Sequence, residues 1–145
     1  MSTATKIFGR LLVTVVFLAS LSACGGAKYP SIEGQERDQV LSYSEPAADH
    51  IFQAITDGDY GAFTQDFDAA MLKATSQDNF DKLRETLSQK MGRYVSRSVI
   101  AVYQTGADSA TVVYDVKFTE KDQVKSTLTL HTGGDHKVAG FYIYP

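Results

Sequence analysis

The apolar residues of this chain change their period once, at Gly92–Arg93, and that change decides what the chain can fold into. Upstream they recur every three or four residues, which lines them up on one face of a helix. Ala48, Ile51, Phe52 and Ile55 form one stripe, Tyr60, Phe63, Phe67 and Met71 a second, and Phe80, Leu83, Leu87 and Met91 a third. Ser44 is the expected N-cap of the first helix, with Pro46 in its first turn and Gly58 as its stop. Asp59 suits the start of the second helix, Ser76 or Asp78 the start of the third, and Gly92 its end.

Downstream the period is two. Ala110, Val112, Tyr114, Val116 and Phe118 alternate with Thr111, Val113, Asp115 and Lys117. Val124, Ser126, Leu128 and Leu130 alternate with Lys125, Thr127, Thr129 and His131. Both runs read as half-buried antiparallel strands. Arg93–Tyr103 reads as a longer strand whose alternation slips near Ser98–Val99, so a bend or bulge is expected there. Gly133-Gly134-Asp135 makes a hairpin into a last strand, Lys137–Tyr144. The predicted architecture is α+β, with three N-terminal helices on one face of a curled four-stranded antiparallel sheet. The last strand carries Phe141 and Ile143 on one face and Val138, Tyr142 and Tyr144 on the other, so both of its faces are expected to be covered.

The first 23 residues follow a different logic. Lys6 and Arg10 precede an apolar run, Leu11 to Leu21, and no acid occurs before Glu33. That run has the length of a secretory signal core, about half of the ~20 apolar residues a spanning helix needs. Leu21-Ser22-Ala23-Cys24 resembles the bacterial lipoprotein lipobox. The resemblance implies cleavage between Ala23 and Cys24 and a diacylglyceryl thioether on Cys24, often with a further acyl group on the new amine. Two chains give lasting anchorage, where one gives only marginal binding. Gly25 is not the aspartate that marks inner-membrane retention in some two-membrane bacteria, so an outer-membrane destination is permitted. In a single-membrane bacterium the protein would sit on the outer face of the plasma membrane. The alternative is an ordinary secretory signal followed by an incidental cysteine. Cleavage removes two positive charges from a chain of net charge -3 and leaves -5 on 122 residues.

Residues 24–45 read as a lipidated flexible tether, with three glycines, one proline and little periodicity. Val40, Leu41 and Tyr43 near its end are able to dock on the domain. Residues 46–145 then form one α+β domain. The order of elements resembles the cone-shaped, cystatin-like fold of nuclear transport factor two and ketosteroid isomerase. More narrowly it resembles an uncharacterised bacterial family of secreted and lipid-anchored domains. The matching features are Asp57-Gly58-Asp59-Tyr60, then Phe63, Phe67-Asp68 and Met71, then Met91-Gly92, and the closing run from His136 to Tyr142. That family lends no catalytic residues.

Few patterns carry chemistry. A single cysteine excludes an internal disulfide and a four-cysteine zinc site, and the mild charge excludes a strongly basic nucleic-acid footprint. Gly-x-Ser-x-Gly, Ser-x-x-Lys and His-Glu-x-x-His are absent, as is a glycine-rich phosphate loop. Asp57, Asp59, Asp66 and Asp68 crowd together, but Gly61 and Ala62 stand where a calcium loop needs a ligand and a glycine. Helix caps and a solvated acidic face account for them better. His131 and His136 flank the hairpin beside Asp135, and His50 lies on a helix; surface roles are expected over a metal site. No cofactor is expected.

The tyrosines are more informative. Tyr94, Tyr103, Tyr114, Tyr142 and Tyr144 sit in or beside strands, and in a cone such hydroxyls, those of the first four above all, would point into a pocket able to orient a ligand or stabilise an oxyanion. Tyrosine is also simply a good strand former. Asp115, opposite in facing to Tyr114, is a poor candidate for a base. The preferred reading is a non-catalytic ligand- or protein-binding module of the cell envelope, held to a membrane through Cys24. The alternatives are a small hydrolase, isomerase or dehydratase using the cone pocket, and a structural homodimer formed through the sheet.

Overall fold

The computed structural model describes residues 29–144. Ala23, Cys24 and Gly25 lie outside the described residues. The elements run α1 (Gly34–Asp57), α2 (Tyr60–Thr64), α3 (Ala69–Ala74), α4 (Gln77–Met91), β1 (Tyr94–Gly106), β2 (Ser109–Phe118), β3 (Val124–His131) and β4 (Val138–Tyr144). The described residues are therefore α+β, with four helices rather than three and one antiparallel sheet in the order β1-β2-β3-β4 that does not close on itself. Among the described residues no helix is long and apolar enough to cross a membrane.

The first helix starts far upstream of the expected cap. Glu33 is its N-cap, Ser44 is buried in its middle, and Pro46 lies inside it. Much of the segment expected as a flexible tether is thus helix. Val40, Ser44 and Ala47 share the apolar side of Ala48 and Ile51, and that burial outweighs the backbone bond that Pro46 removes. Further upstream, Pro30–Ile32 pairs with the edge of β1, through Gln104 N–H to the Pro30 carbonyl at 2.9 Å and Ile32 N–H to the Val102 carbonyl at 2.8 Å.

The second apolar stripe makes two short helices instead of one. Phe67 is 3% exposed and forms an isolated parallel bridge to Val138. The Val138 amide donates to the Asp66 carbonyl at 2.8 Å, and the Asp68 amide to the Val138 carbonyl at 2.9 Å. Those bonds need extended backbone, so the helix stops at Thr64 and restarts after Asp68. Asp59, Asp68 and Ser76 each accept an N-capping bond, from Ala62, Met71 and Asn79.

Two glycines set the helix ends. Gly58 closes α1 at φ +79°, and a Cβ there would lie 2.8 Å from the Arg84 guanidinium. Gly92 ends α4 at φ 80° and ψ -147°, a region essentially reserved for glycine, with Thr119 Oγ1 occupying the place of a Cβ.

The alternation read in β2 and β3 is observed. Ala110, Val112, Tyr114, Val116 and Phe118 face the helices, with Val124, Ser126, Leu128 and Leu130 beside them. In β1 the register shifts between Val99 and Ala101, at the expected slip. Another irregularity, between Thr129 and Leu130 in the pairing with β4, puts Val138 opposite Leu130 on the buried face. Val138 therefore does not share a face with Tyr142 and Tyr144. Those two stand on the outer face, 63% and 55% exposed, and nothing among the described residues covers them. Phe141 and Ile143 turn inward.

Candidate functional site

The inner face of the sheet is filled with rings. Phe52 of α1 stacks on Tyr94 at 4.8 Å and meets Phe141 edge-on at 5.7 Å. Phe63 lies 4.7 Å from Phe80 and 5.1 Å from Phe67. The spaces left beside the helices are small, about 100 Å³ against Arg84 and Leu87 and about 160 Å³ between Met71 and Phe80. Ligand pockets are commonly ~300–1,000 Å³.

One cation is set into this layer. Arg97 of β1 has a side chain only 8% exposed. Its Nη1 donates to Asp49 at 2.6 Å, and its Nη2 to the Glu45 carboxylate at 3.2 Å and the Glu45 carbonyl at 3.1 Å. The guanidinium carbon lies 5.5 Å from the Tyr114 ring centre and 5.9 Å from that of Phe52. Burial works against its charge, but the bonds to Asp49 and Tyr94 and the charge of Glu45 outweigh it and hold the guanidinium above its ordinary range. The Tyr114 hydroxyl donates to Glu45 at 2.8 Å. Burial first, then the Glu45 carboxylate, push that phenol well above the ordinary tyrosine value. A phenol so raised stays neutral and acts as a donor. The cluster ties β1 and β2 to α1 through bonds among its own groups, and Arg97 also borders a hollow of about 330 Å³ with Asp115, Lys117 and Asp122.

The four tyrosines proposed for a common pocket part company. Tyr94 and Tyr114 are inside, in the ring layer and the arginine cluster. Tyr103 and Tyr142 are on the outer face, where they help line a trough of about 520 Å³. Tyr29 stands with Tyr103 on the β1 side, and Tyr144 with Tyr142 on the β4 side. The floor is Thr111 and Val113 of β2 with Thr127 and Thr129 of β3. Hydroxyls of Thr105, Thr111 and Thr129 form a chain across three strands, at 3.0 and 2.8 Å. Tyr29 carries no site signal in the sequence, and Tyr144 reads there only as a further strand tyrosine. For Tyr144 the signal was present in the alternation of β4, which gives Tyr142 and Tyr144 one facing.

The histidines all bond within the fold. His50 Nδ1 meets Asp66 at 2.6 Å, and His131 Nε2 meets Asp68 at 2.9 Å. His136, at φ 52°, stacks on Tyr43 with ring centres 3.9 Å apart. Burial, then Glu36, raises the Tyr43 phenol. Among the described residues no group of three or more His, Cys, Asp or Glu side chains is placed to hold a metal ion. Two of the crowded aspartates are caps, as expected: Asp59 on α2 and Asp68 on α3.

Asp68 thus joins α3 to β3. The amide of Met71 and then His131 lower its pKa. A lowered carboxyl stabilises the fold above its unfolded value, about 3.9, and loses that contribution as the pH falls through the folded value. Asp68→Ala is expected to cost about 1 kcal/mol near neutral pH. The difference from the parent chain, measured by urea unfolding, should shrink on acidification below about pH 4. A difference that is constant with pH would contradict this role.

A family model described as a protein of unknown function (DUF3887) matches residues 48–141. The chain belongs to that family. The DUF3887 segment begins within α1 and ends within β4, so it contains Phe52, Arg97 and Tyr114 and all but the last three residues of the sheet. Glu45, Tyr29, Tyr142 and Tyr144 lie outside it. A search of curated proteins gives no match.

Proposed function

We propose that this DUF3887 protein is a lipid-anchored, extracytoplasmic module of the cell envelope that works by binding rather than by catalysis. One observation carries the reading: the inner face of the sheet is filled with rings and its buried cation, Arg97, is paired with Glu45 and Asp49, whereas the outer face holds an open trough of about 520 Å³. A hydrolase, isomerase or dehydratase in a cone pocket would need that inner volume and an acid or base facing it. We take the open sheet, with helices on one face only, as a variant of the cystatin-like cone in which the interior has become core.

The anchor rests on the lipobox at Leu21–Cys24. Cys24 is five residues before Tyr29, and five extended residues reach at most ~17 Å. With Pro30–Ile32 paired to β1, the trough would sit close to the lipid surface, on an outer membrane or on the outer face of a plasma membrane. Cys24→Ser is the test. The parent chain should stay with membranes through an alkaline wash, and the variant should be released with its fold intact. A variant that remains fully membrane-bound after the wash would overturn the anchor.

A second reading is favoured by the exposed Tyr142 and Tyr144: a homodimer through the outer faces of two sheets. Light scattering decides it, because a strict monomer at tens of micromolar overturns it.

A further inference from the structure

We propose that the outer trough is a binding site for a neutral glycan strand, with sugar rings lying against Tyr103, Tyr142 and Tyr144 and their hydroxyls bonding to the threonine floor. This rests on the reading of the protein as a binding module and names the ligand class of that module.

The first argument is charge. The chain has 31 Lys, Arg, Asp and Glu residues, yet none of the ten that line the trough is among them. Phosphate and carboxylate ligands would find no counter-ion there, and a cationic ligand would find no acid. At the end of the floor, in the row of Tyr144, Asp115 and Lys125 form an ion pair with each other, 3.6 Å apart. A polyol needs neither charge.

The second argument is shape. In one cross-strand row Tyr103, Thr111, Thr129 and Gly140 stand side by side; in the next, Ala101, Val113, Thr127 and Tyr142 do. The large residue is at the β1 end of the first row and at the β4 end of the second. Three strand spacings separate those edges, about 14 Å. Gly140 is buried, and the place its Cβ would take is bordered by Thr129 at 3.5 Å and by Cε2 of the Tyr142 ring at 3.8 Å, so that ring lies low against the sheet. Tyr142 and Tyr144 follow each other along β4 with ring centres 6.5 Å apart and planes 30° from parallel, a run of two platforms for successive rings.

The third argument is the matching of polar groups. A pyranose has an apolar face of axial C–H groups and a rim of hydroxyls, each both donor and acceptor. Aromatic faces take the first. Threonine hydroxyls are likewise donor and acceptor, and those of Thr105, Thr111 and Thr129 keep lone pairs beyond the chain they form. A second copy of this protein would meet the same floor with rigid side chains and strand it from water. A ligand with rotatable hydroxyls satisfies it.

The test uses the full mature chain in phosphatidylcholine nanodiscs, titrated calorimetrically with chitohexaose and cellohexaose. Binding with a Kd below about 1 mM is expected. Tyr142→Ala and Tyr144→Ala should each weaken it roughly tenfold; both residues are largely exposed, so the fold survives the change. Leu72→Ala on α3, exposed on the helical layer, should leave it unchanged. Failure of both neutral hexasaccharides to bind overturns the proposal, as does binding that is indifferent to the tyrosine variants. Self-association that disappears in Tyr142→Ala, without glycan binding, overturns it in favour of a second copy. A charged or apolar ligand lost in the same variant would overturn the glycan and leave the binding module standing. The mass of the Cys24 peptide reports on the anchor separately.

Discussion

Arg97→Ala is expected to destabilise the domain by about 3 kcal/mol, at the lower end of the range for breaking a buried ion pair. The lower end applies because the partners are unequally buried. Glu45 and Asp49 have side chains 40% and 69% exposed, so they recover water when the guanidinium goes. What is lost is the cation between the Phe52 and Tyr114 rings, the three strand-to-helix bonds, and the packing of a long stem. Urea unfolding of the full chain measures it. Arg97→Met restores the stem without the charge and should recover part of the loss. Tyr114→Phe removes only the bond to Glu45 and should cost about 1 kcal/mol. A loss below about 1 kcal/mol for Arg97→Ala would mean that the cluster is decoration and that α1 is held by apolar contact alone.

Phe52→Ala is expected to cost about 4 kcal/mol, the usual penalty for emptying a ring from a core. Phe52 is 1% exposed and joins the Tyr94, Phe141 and Arg97 contacts at one point. Its removal opens a cavity under the β1–β4 sheet that neither the rigid strands nor α1 can close. Phe52→Leu keeps much of the volume and should lose less than half as much. Because Arg97 sits over the ring, Phe52→Ala and Arg97→Ala should be non-additive, with a double-mutant coupling of about 0.5–2 kcal/mol. Additive losses would show that the cation and the ring do not sense each other.

The elements that followed from short-range chemistry are those the sequence made legible. Gly58 and Gly92 stop helices because only glycine takes their backbone angles without strain, and Asp59 and Ser76 start them because their oxygens reach the first free amides. The inward set of β2 was readable because side chains alternate with period two and one face is buried. The start of α1 was not readable. The glycine and proline content of residues 24–45 suggested a tether, and no local signal reports that Val40 and Ser44 find a sheet to pack against. The break at Phe67 was hidden for the same reason: its spacing fits a helix, and only the partner carbonyl of Val138 makes extended backbone preferable.

The trough was half legible. Alternation places Tyr142 and Tyr144 on one face of β4, but whether that face is inside or outside depends on the register with β3, and the irregularity at Thr129–Leu130 has no sequence mark. That shift sends Val138 inward while Tyr142 and Tyr144 remain outside. Arg97 is the opposite case: a charged residue in a strand reads as surface, and its burial required two carboxylates from a helix some fifty residues earlier.

By itself, then, the sequence determined the change from helices to strands at Gly92–Arg93, the helix ends at Gly58, Asp59, Ser76 and Gly92, and the inner face of β2, since each depends on periodicity or on a neighbour a few residues away. The tertiary structure alone decided which tyrosines share a surface, where α1 begins and how Arg97 is buried, because these depend on pairing across the sheet and on contacts between residues far apart in the chain.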